Sequence, residues 1–306
     1  MSLTARISFK QADSSLSPED ILAHSLGVIF TDDVTCQHSS EGNLLYTSPH
    51  LPHDLEFSFT EPDKWEERKL FSHYLWNASL LLAELMEEVE EEEDDDKGSS
   101  ESRRQRRWDV QGKTVAEVGA GTGLPSIMAG LLGAQTLLVT DYPSPGVIQT
   151  LKENVARNLK PENAPSPRKE DGEGAVAKIT RDVQVLGHEW GQLDELEAHK
   201  GLYHRVLVCD CLWMPWQHVS LMQSIAHLLA ADGGEAWVVG GFHTGRAQMK
   251  GFFDAETLKE EGLVVERIWE RDCDGVERSW DPEREEEEQH VRKRWLVVAV
   301  IKMVQQ

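Results

Sequence analysis

Short apolar runs alternate with helical stretches along most of the chain, and this alternation restricts the fold more than any other feature. Continuous apolar runs are typical of strands buried on both faces, and helices between them are typical of a parallel sheet. The last two runs have no comparable helix between them, which indicates an antiparallel pair at one edge. The sequence therefore predicts an α/β fold with a doubly wound, mostly parallel sheet. We expect its strands at residues 114–118, 136–140, 182–186, 206–209, 236–240, 263–269 and 294–302.

Apolar residues at three- and four-residue spacings predict the helices. They fall at residues 65–86, 124–132, 147–158, 193–198, 217–230 and 247–261. Residues 1–64 have only a short apolar run at 26–30, which we interpret as a strand. We therefore divide the chain into a partly looped N-terminal extension, 1–64, that can act as a lid over an acceptor, and one domain, 65–306.

The first predicted helix runs into a strongly charged segment. Nine of the ten residues 87–96 are acidic, and a basic run follows at 103–107. Such a segment buries too little apolar surface to offset its ordering entropy, so we predict a disordered acidic insertion at about 87–107. The alternative is an acidic tract that binds a specific partner. Two further solvated insertions are predicted at 161–174 and 281–289.

Composition excludes several classes of protein. The 306 residues include 54 Asp and Glu against 31 Lys and Arg, a formal net charge of −23. Binding of nucleic acid needs a basic surface that neutralises phosphates, so we expect no nucleic-acid partner. The negative charge fits a basic or neutral partner better. No run of ~18 apolar residues predicts a membrane span, and residues 1–10 lack the apolar core of a secretory signal. Four scattered cysteines argue against disulfides and zinc sites. We expect a cytoplasmic monomer without metal or membrane association.

A glycine-rich turn, EVGAGTG, follows the first predicted strand of the sheet and opens a helix. Gly119, Gly121 and Gly123 allow a sharp turn and close approach of a ligand to the backbone. Their G-x-G-x-G spacing differs from the G-x-G-x-x-G of NAD sites, and no Gly-Lys-Ser/Thr follows, so this is no P-loop. The alternative is a tight turn without a ligand.

Two acids beside the turn indicate what it binds. Asp141 ends the second strand, 20 residues after Gly121, where a carboxylate can accept from both ribose hydroxyls. Glu117 ends the first strand and can accept from an ammonium group. Acids would repel a pyrophosphate, so the pattern favours a positively charged nucleoside.

The motif VAEVGAGTGL at 115–124 resembles the first motif of class I S-adenosylmethionine-dependent methyltransferases. The segments HYLWNASLLLAELM at 73–86 and VTDYPSPGVI at 139–148 resemble the fungal family described as nicotinamide N-methyltransferase-like. That family includes protein methyltransferases that act on the N-terminus and a lysine of translation elongation factor 1A, and it belongs to the wider lysine methyltransferase group. The resemblance implies a Rossmann-like, seven-stranded sheet with a reversed C-terminal hairpin.

The resemblance also implies roles for individual residues toward S-adenosylmethionine. Trp76 closes over its methionine end, Asp141 holds the ribose and Trp190 flanks the adenine. Cys209 and Asp210 end the fourth strand at the transfer site. The full set of implied cofactor-binding residues is Trp76, Glu117, Gly119, Ala120, Gly121, Gly123, Asp141, Tyr142, Trp190 and Cys209.

The predicted catalytic residues are Asp210 and Trp213. The wider lysine methyltransferase group usually has Asp-x-x-Tyr here, whereas this chain has Trp213 in place of the tyrosine and a second ring at Trp216. Asp210 can orient an acceptor amine, and the tryptophans can desolvate it. The alternatives are that Asp210 caps a helix and that both tryptophans pack under one. His243 either lines the acceptor pocket or has no part in it.

Three functions remain open at the level of the sequence. The first is an N-methyltransferase acting on a protein amine, either a lysine or an N-terminus, of a substrate such as a translation factor. The second is a small-molecule methyltransferase for nicotinamide-like or secondary-metabolite acceptors. The third is a cofactor-binding protein without catalysis. An open acidic groove beside Asp210 would favour the first, and a roofed apolar pocket the second.

Overall fold

The structure is a computed structural model, and it describes residues 2–10, 36–37, 43–59, 74–88, 90–91, 104–105, 107–166, 178–284 and 287–304. Its strands are β1 (Ile7–Phe9), β2 (Cys36–Gln37), β3 (Leu44–Tyr46), β4 (Leu55–Phe57), β5 (Leu75–Trp76), β6 (Glu90–Glu91), β7 (Arg104–Gln105), β8 (Thr114–Val118), β9 (Thr136–Asp141), β10 (Asp182–Gly187), β11 (Arg205–Cys209), β12 (Glu235–Gly241), β13 (Leu263–Asp272), β14 (Glu277–Ser279) and β15 (Trp295–Met303). Its α-helices are α1 (Asn77–Glu87), α2 (Leu124–Leu131), α3 (Pro145–Asn158), α4 (His218–Leu228), α5 (Arg246–Met249), α6 (Ala255–Glu260) and α7 (Gln289–Lys293).

An eight-stranded central sheet organises the described residues, in the order β10-β9-β8-β11-β12-β15-β13-β14. The strands from β10 to β12 pair in parallel, whereas β15 pairs antiparallel with both β12 and β13. The predicted α/β fold, with its doubly wound sheet and antiparallel C-terminal pair, is confirmed. The edge strand β14 is additional to the predicted set, because its Glu-Arg-Ser sequence forms no apolar run.

The order of the strands creates a crevice at the carboxyl end of β8. From β8 the chain passes to β9 on one side, and later to β11 on the other. Open α/β sheets bind ligands at such a reversal of strand order. Val115 and Val118 of β8 and Val206 and Val208 of β11 are fully buried, so a packed core supports this crevice from below.

Helix α1 is buried along nearly its whole length, which explains why apolar residues occupy most of its positions and not a single stripe. The predicted helix over 65–86 begins only at Asn77. Leu75 and Trp76 before it are extended because they pair antiparallel with Cys36 and Gln37. The rest of that prediction, residues 65–73, lies outside the described residues.

Two other helix predictions need correction. The single helix predicted at 247–261 is broken into α5, a 3-10 turn at Lys250–Phe253, and α6. The break occurs because the Asp254 carboxylate accepts from the backbone N–H of Thr257 at 2.9 Å and so starts a new helix. The helix predicted at 193–198 is a 3-10 helix, Leu193–His199.

The described part of the N-terminal extension packs into the main core. Strands β1, β3 and β4 form an antiparallel sheet, and its largest buried side chains belong to the same cluster as those of α1 and α2. Asn154 and Asn158 of α3 fasten β4, because their side-chain oxygens accept from the backbone N–H groups of Ser58 and Glu56 at 2.9 and 2.8 Å. The strand predicted at 26–30 lies outside the described residues.

The acidic run begins inside the fold. Glu87 is 2% exposed, accepts from the Ser48 hydroxyl and lies 3.5 Å from the Arg6 guanidinium. Beyond it, Glu90–Glu91 pairs antiparallel with Arg104–Gln105. The acidic run therefore belongs to the fold through Glu88, whose carboxylate accepts from the Arg271 guanidinium. The disorder predicted for about 87–107 stays a prediction for residues 89, 92–103 and 106, which lie outside the described residues.

No helix within the described ranges is long and apolar enough to span a membrane. Within the same ranges, no group of three or more His, Cys, Asp or Glu side chains is arranged to hold a metal ion.

Candidate active site

A cleft of about 830 Å³ opens at the carboxyl ends of β8, β9, β10 and β11. Most of the predicted site residues meet there, although they come from five separate parts of the sequence. Those that line the cleft are Trp76, Gly119, Ala120, Gly121, Asp141, Tyr142, Trp190, Cys209, Asp210 and Trp213. The sequence therefore predicts most of the lining of a cleft that only the fold assembles.

The glycine turn forms one wall of the cleft. Gly119 has φ +70°, and a Cβ added to it would lie 2.7 Å from the Cys211 Sγ and 3.1 Å from the Trp190 ring. Both the backbone angle and the space therefore require glycine at this position. The glycine therefore lets the turn pack directly against the Cys211 and Trp190 side chains, which line the cleft with it.

Asp141 lies at the floor of the cleft, at the end of β9. Its Oδ2 accepts from the backbone N–H of Gly121 at 2.6 Å, and its Oδ1 accepts from that of Tyr142 at 2.7 Å. Burial raises the pKa of this carboxyl to about 6. The carboxylate is thus fixed in direction beside the glycine turn, and a neighbouring positive charge would favour its ionised form.

Glu117 and Gly123 do not belong to the cleft lining. Glu117 is fully buried, and its Oε2 accepts from the backbone N–H of Ser126 in the first turn of α2 at 3.1 Å. Its Oε1 has no hydrogen-bond partner among the described residues, and burial raises its pKa to about 8. Gly123 precedes α2 in a left-handed conformation and faces Leu151, so its role is to turn the chain into the helix.

Asp210 follows β11 with φ +53°, the one positive φ of a non-glycine residue in the described ranges. Its Oδ1 accepts from the backbone N–H of Gly241 at 2.9 Å, and the backbone N–H of Ala78 at the start of α1 also bonds to the carboxylate. Burial raises its pKa. The same side chain therefore lines the cleft and bonds to the first turn of α1, so it contributes to a helix cap. Its role toward an acceptor amine stays a prediction.

His243 lies directly against two lining residues. Its ring stacks on Trp76 with 4.6 Å between centroids and 23° between planes, and its Nδ1 is 3.6 Å from the Asp210 Oδ1. His243 itself does not belong to the cleft lining. The loop after β12 therefore supports the site from behind.

Several lining residues were not predicted. They are Tyr74, Ser79, His188, Glu189, Cys211, Met214 and Gln217. His188 is buried, its Nε2 lies 2.9 Å from the Ser224 hydroxyl, and burial lowers its pKa to about 4, so it is neutral near pH 7. His188 and Glu189 could have been predicted from the sequence, because they stand immediately after a strand end and directly before Trp190.

The charge of the lining has one sign. Asp141, Glu189 and Asp210 belong to it, and none of the described lining residues is Lys or Arg. A cleft with this composition attracts cations and disfavours phosphates.

Comparison with known proteins identifies the family. The family described as lysine methyltransferase matches residues 64–259, well over half of the chain. The chain belongs to the lysine methyltransferase family. It is 30% identical over 217 residues to the protein N-terminal and lysine N-methyltransferase EFM7 of Gibberella zeae, covering 66% of this chain and 70% of that protein.

A second relative carries the same name as the first. A protein of the same name from Candida glabrata is 29% identical over 234 residues, covering 75% of each chain. Among solved structures, the ribosomal protein L11 methylase of Lactobacillus delbrueckii is similar at 18% identity and a TM-score of 0.38, covering 64% of this chain and 72% of that one. The family match and the two named relatives show that the chain is a methyltransferase, and they do not support the nicotinamide part of the resemblance.

Within this methyltransferase, the segment after β11 departs from the Asp-x-x-Tyr pattern as expected from the sequence. Trp213 lines the cleft, and the Trp216 ring packs edge-on against it with 6.5 Å between centroids. His218 is a buried structural residue: its Nε2 lies 2.9 Å from the Leu212 carbonyl oxygen, and its ring contacts Phe252.

Proposed function

We propose that this chain is an S-adenosylmethionine-dependent N-methyltransferase that acts on an amine of a protein, either a lysine or an N-terminus. The observation that carries the proposal is the cleft itself, which combines a glycine cradle with three acids and no described Lys or Arg. Both a sulfonium cofactor and a protonated amine are cations, and this lining suits both.

The residues present fit the cofactor. A Cβ at Gly119 would lie 3.1 Å from the Trp190 ring, so the glycine allows the turn and the indole to pack together as one wall of the cleft. Trp190 would flank the adenine, Asp141 would accept from the ribose, and Trp76 would cover the methionine end. When bound, S-adenosylmethionine supplies a methyl group on a positively charged sulfur.

Asp210 and Trp213 would act on the acceptor. A protonated amine cannot attack a methyl carbon, so it must lose its proton and be held roughly 3 Å from that carbon, opposite the sulfur. Asp210 can accept a hydrogen bond from the amine, while Trp213 excludes water and disfavours the charged amine. The aromatic face of Trp213 would also stabilise the methylated cationic product.

The substrate follows from the relatives and from the shape of the site. The relatives are named for methylation of protein N-termini and lysines, and the resemblance points to a translation elongation factor. The acids of the lining, Asp141, Glu189 and Asp210, favour a protonated amine of a protein over a neutral small acceptor such as nicotinamide. A translation-factor substrate would place the reaction in the cytoplasm, and we propose that the enzyme works there as a monomer.

Transfer of a labelled methyl group tests this function. The purified chain is incubated with labelled S-adenosylmethionine and a cell extract, and protein and small-molecule fractions are counted separately, with modified sites located by mass spectrometry. We expect label on protein lysines or N-termini, and less of it with the Asp141→Ala variant at limiting cofactor. Label confined to the small-molecule fraction would contradict the proposal.

A further inference from the structure

The chain presents an apolar surface directly outside the cleft. Trp216 is 73% exposed in the 3-10 turn Pro215–Gln217, and Val219, at the start of α4, is 44% exposed. Trp213 and Met214 line the cleft, and the Trp213 ring contacts the exposed Trp216 ring, so apolar surface continues from the cleft to the outside. We call these four side chains, Trp213, Met214, Trp216 and Val219, the rim patch.

Exposure of a tryptophan to this degree leaves a large apolar ring in water. Burial of such a ring is favourable, and exposed apolar patches beside a cleft mark places where a partner docks. Tryptophan is also enriched among the few residues that dominate binding energy in interfaces. The rim patch therefore has the composition of a docking surface.

The acidic residues in and around the cleft favour a cationic partner. The exposed Glu189 belongs to the cleft lining, and the exposed Glu195 has its Oε2 3.8 Å from the Nδ1 of His188, another lining residue. With Asp141 and Asp210 inside, these acids would repel an acidic partner and attract a cationic one.

The distance between the Trp213 and Trp216 rings indicates how many residues of a bound peptide lie between its acceptor amine and the side chain on Trp216. The Trp213 and Trp216 centroids are 6.5 Å apart, which corresponds to about two residues of extended chain. A polypeptide with its amine beside Trp213 would therefore bring a side chain only a few positions away onto Trp216.

We propose that the rim patch docks an extended, cationic segment of the protein substrate, with Trp216 packing against an apolar side chain a few residues from the acceptor amine. This inference rests on the proposed function, and it adds the surface that recognises the substrate and the kind of sequence that the surface selects. Asp210 and Trp213 act on the amine, whereas Trp216 acts on the residues beside it.

A pair of synthetic peptides tests the inference. Both carry a free α-amine and several lysines, and they differ only in a leucine or a serine a few positions from the amine. Binding is measured calorimetrically with S-adenosylhomocysteine present, so the result does not depend on methyl transfer. We expect the wild-type chain to bind the leucine peptide about tenfold more tightly, and Trp216→Ala to bind both equally weakly.

The matched control is Leu202→Ala. Leu202 is 51% exposed and lies before the amino end of β11, away from the cleft, so this variant should keep the wild-type preference. Trp216→Ala should also keep its affinity for S-adenosylhomocysteine, since Trp216 does not line the cleft. Cofactor affinity therefore separates loss of docking from loss of folding.

Unchanged peptide preference in Trp216→Ala would overturn the inference. Self-association of the wild-type chain that Trp216→Ala abolishes, measured by sedimentation, would also overturn it, since the patch would then serve a second copy. Trp216-dependent peptide binding without methylation of any peptide would support the docking surface and contradict the proposed function, so the two failures are distinguishable.

Discussion

The buried acids beside the glycine turn are held in an environment that disfavours their charge. Burial raises the pKa of Glu117 to about 8 and that of Asp141 to about 6, although backbone N–H groups bond to both carboxylates. The described lining of the cleft offers no Lys or Arg to offset this. A cationic ligand, such as the proposed cofactor, would supply the missing positive charge, so the free site is complementary to a cation.

Glu117 should make the stability of the free protein depend on pH. Its pKa rises from 4.5 to about 8 on folding, so between these values the folded state holds the proton more tightly than the unfolded chain. The free energy of unfolding should therefore fall as pH rises through this window, by at most about 1.4 kcal/mol per pH unit from this group. Denaturant titrations from pH 5 to pH 8 should show a shallower fall in Glu117→Gln, while Glu153→Gln, on the exposed face of α3, should behave as wild type.

Asp141 should contribute directly to cofactor affinity. Its carboxylate is fixed by Gly121 and Tyr142 and faces the cleft, so Asp141→Ala should weaken binding of S-adenosylmethionine by about 1–3 kcal/mol, the range for hydrogen bonds to a charged group. Calorimetric titration measures this, with Glu153→Ala as the control. An unchanged affinity would remove Asp141 from the ribose role.

Asp210 should affect turnover more than cofactor affinity. Its predicted contact is to the acceptor, so Asp210→Asn should lower methyl transfer by about 10–100-fold and keep most of the cofactor affinity. His243→Ala should act in the same direction, because His243 stacks on Trp76 and lies 3.6 Å from Asp210.

Trp213→Ala should impair acceptor use, whereas Trp213→Tyr should retain some activity. Normal turnover in Asp210→Asn and Trp213→Ala would place the chemistry elsewhere.

At the scale of elements, the sequence predicts what is local and misses what depends on tertiary contacts. The strands β8, β9 and β11 are continuous apolar runs, so their positions could be predicted within a residue or so. The start of α1 could not, because Trp76 is extended only through pairing with Cys36, far away in the chain. His243 stayed ambiguous for the same reason: its contacts to Trp76 and Asp210 join three distant segments.

The acidic insertion should be dispensable beyond its paired ends. Glu90–Glu91 pairs with Arg104–Gln105, so the chain returns to the fold at the point where it leaves. Replacing residues 92–103 with a short glycine-serine turn should leave the melting temperature and cofactor affinity nearly unchanged, because loop length changes the closure entropy only slowly. Thermal unfolding and calorimetry measure both quantities. A large loss of stability would show that the removed residues pack on the domain.

At the scale of the molecule, the core does not follow the predicted division of the chain. Leu44, Tyr46, Leu55 and Phe57 are fully buried and share one cluster with the leucines of α1. Arg6 joins the two parts as well, since its guanidinium lies 2.7 Å from Glu84 and 3.5 Å from Glu87. We therefore propose that the described N-terminal residues belong to the domain that forms the cleft. One of them, Cys36, pairs with Trp76, which lines the cleft.

Removal of residues 1–64 should consequently prevent folding of the remainder. Truncation would remove Tyr46 and Phe57 from the core cluster that they share with α1, and each lost large core side chain costs about 3–5 kcal/mol. It would also remove Arg6, the cation that lies beside the buried Glu87 carboxylate. Since whole domains are stable by only about 5–15 kcal/mol, we expect no cooperative unfolding transition and no binding of S-adenosylmethionine. The variant lacking only residues 92–103 is the matched control, because it is also shortened but keeps the core. A truncated chain that unfolds cooperatively and binds the cofactor normally would show that residues 65–306 form an independent domain, and that the N-terminal strands only cover it.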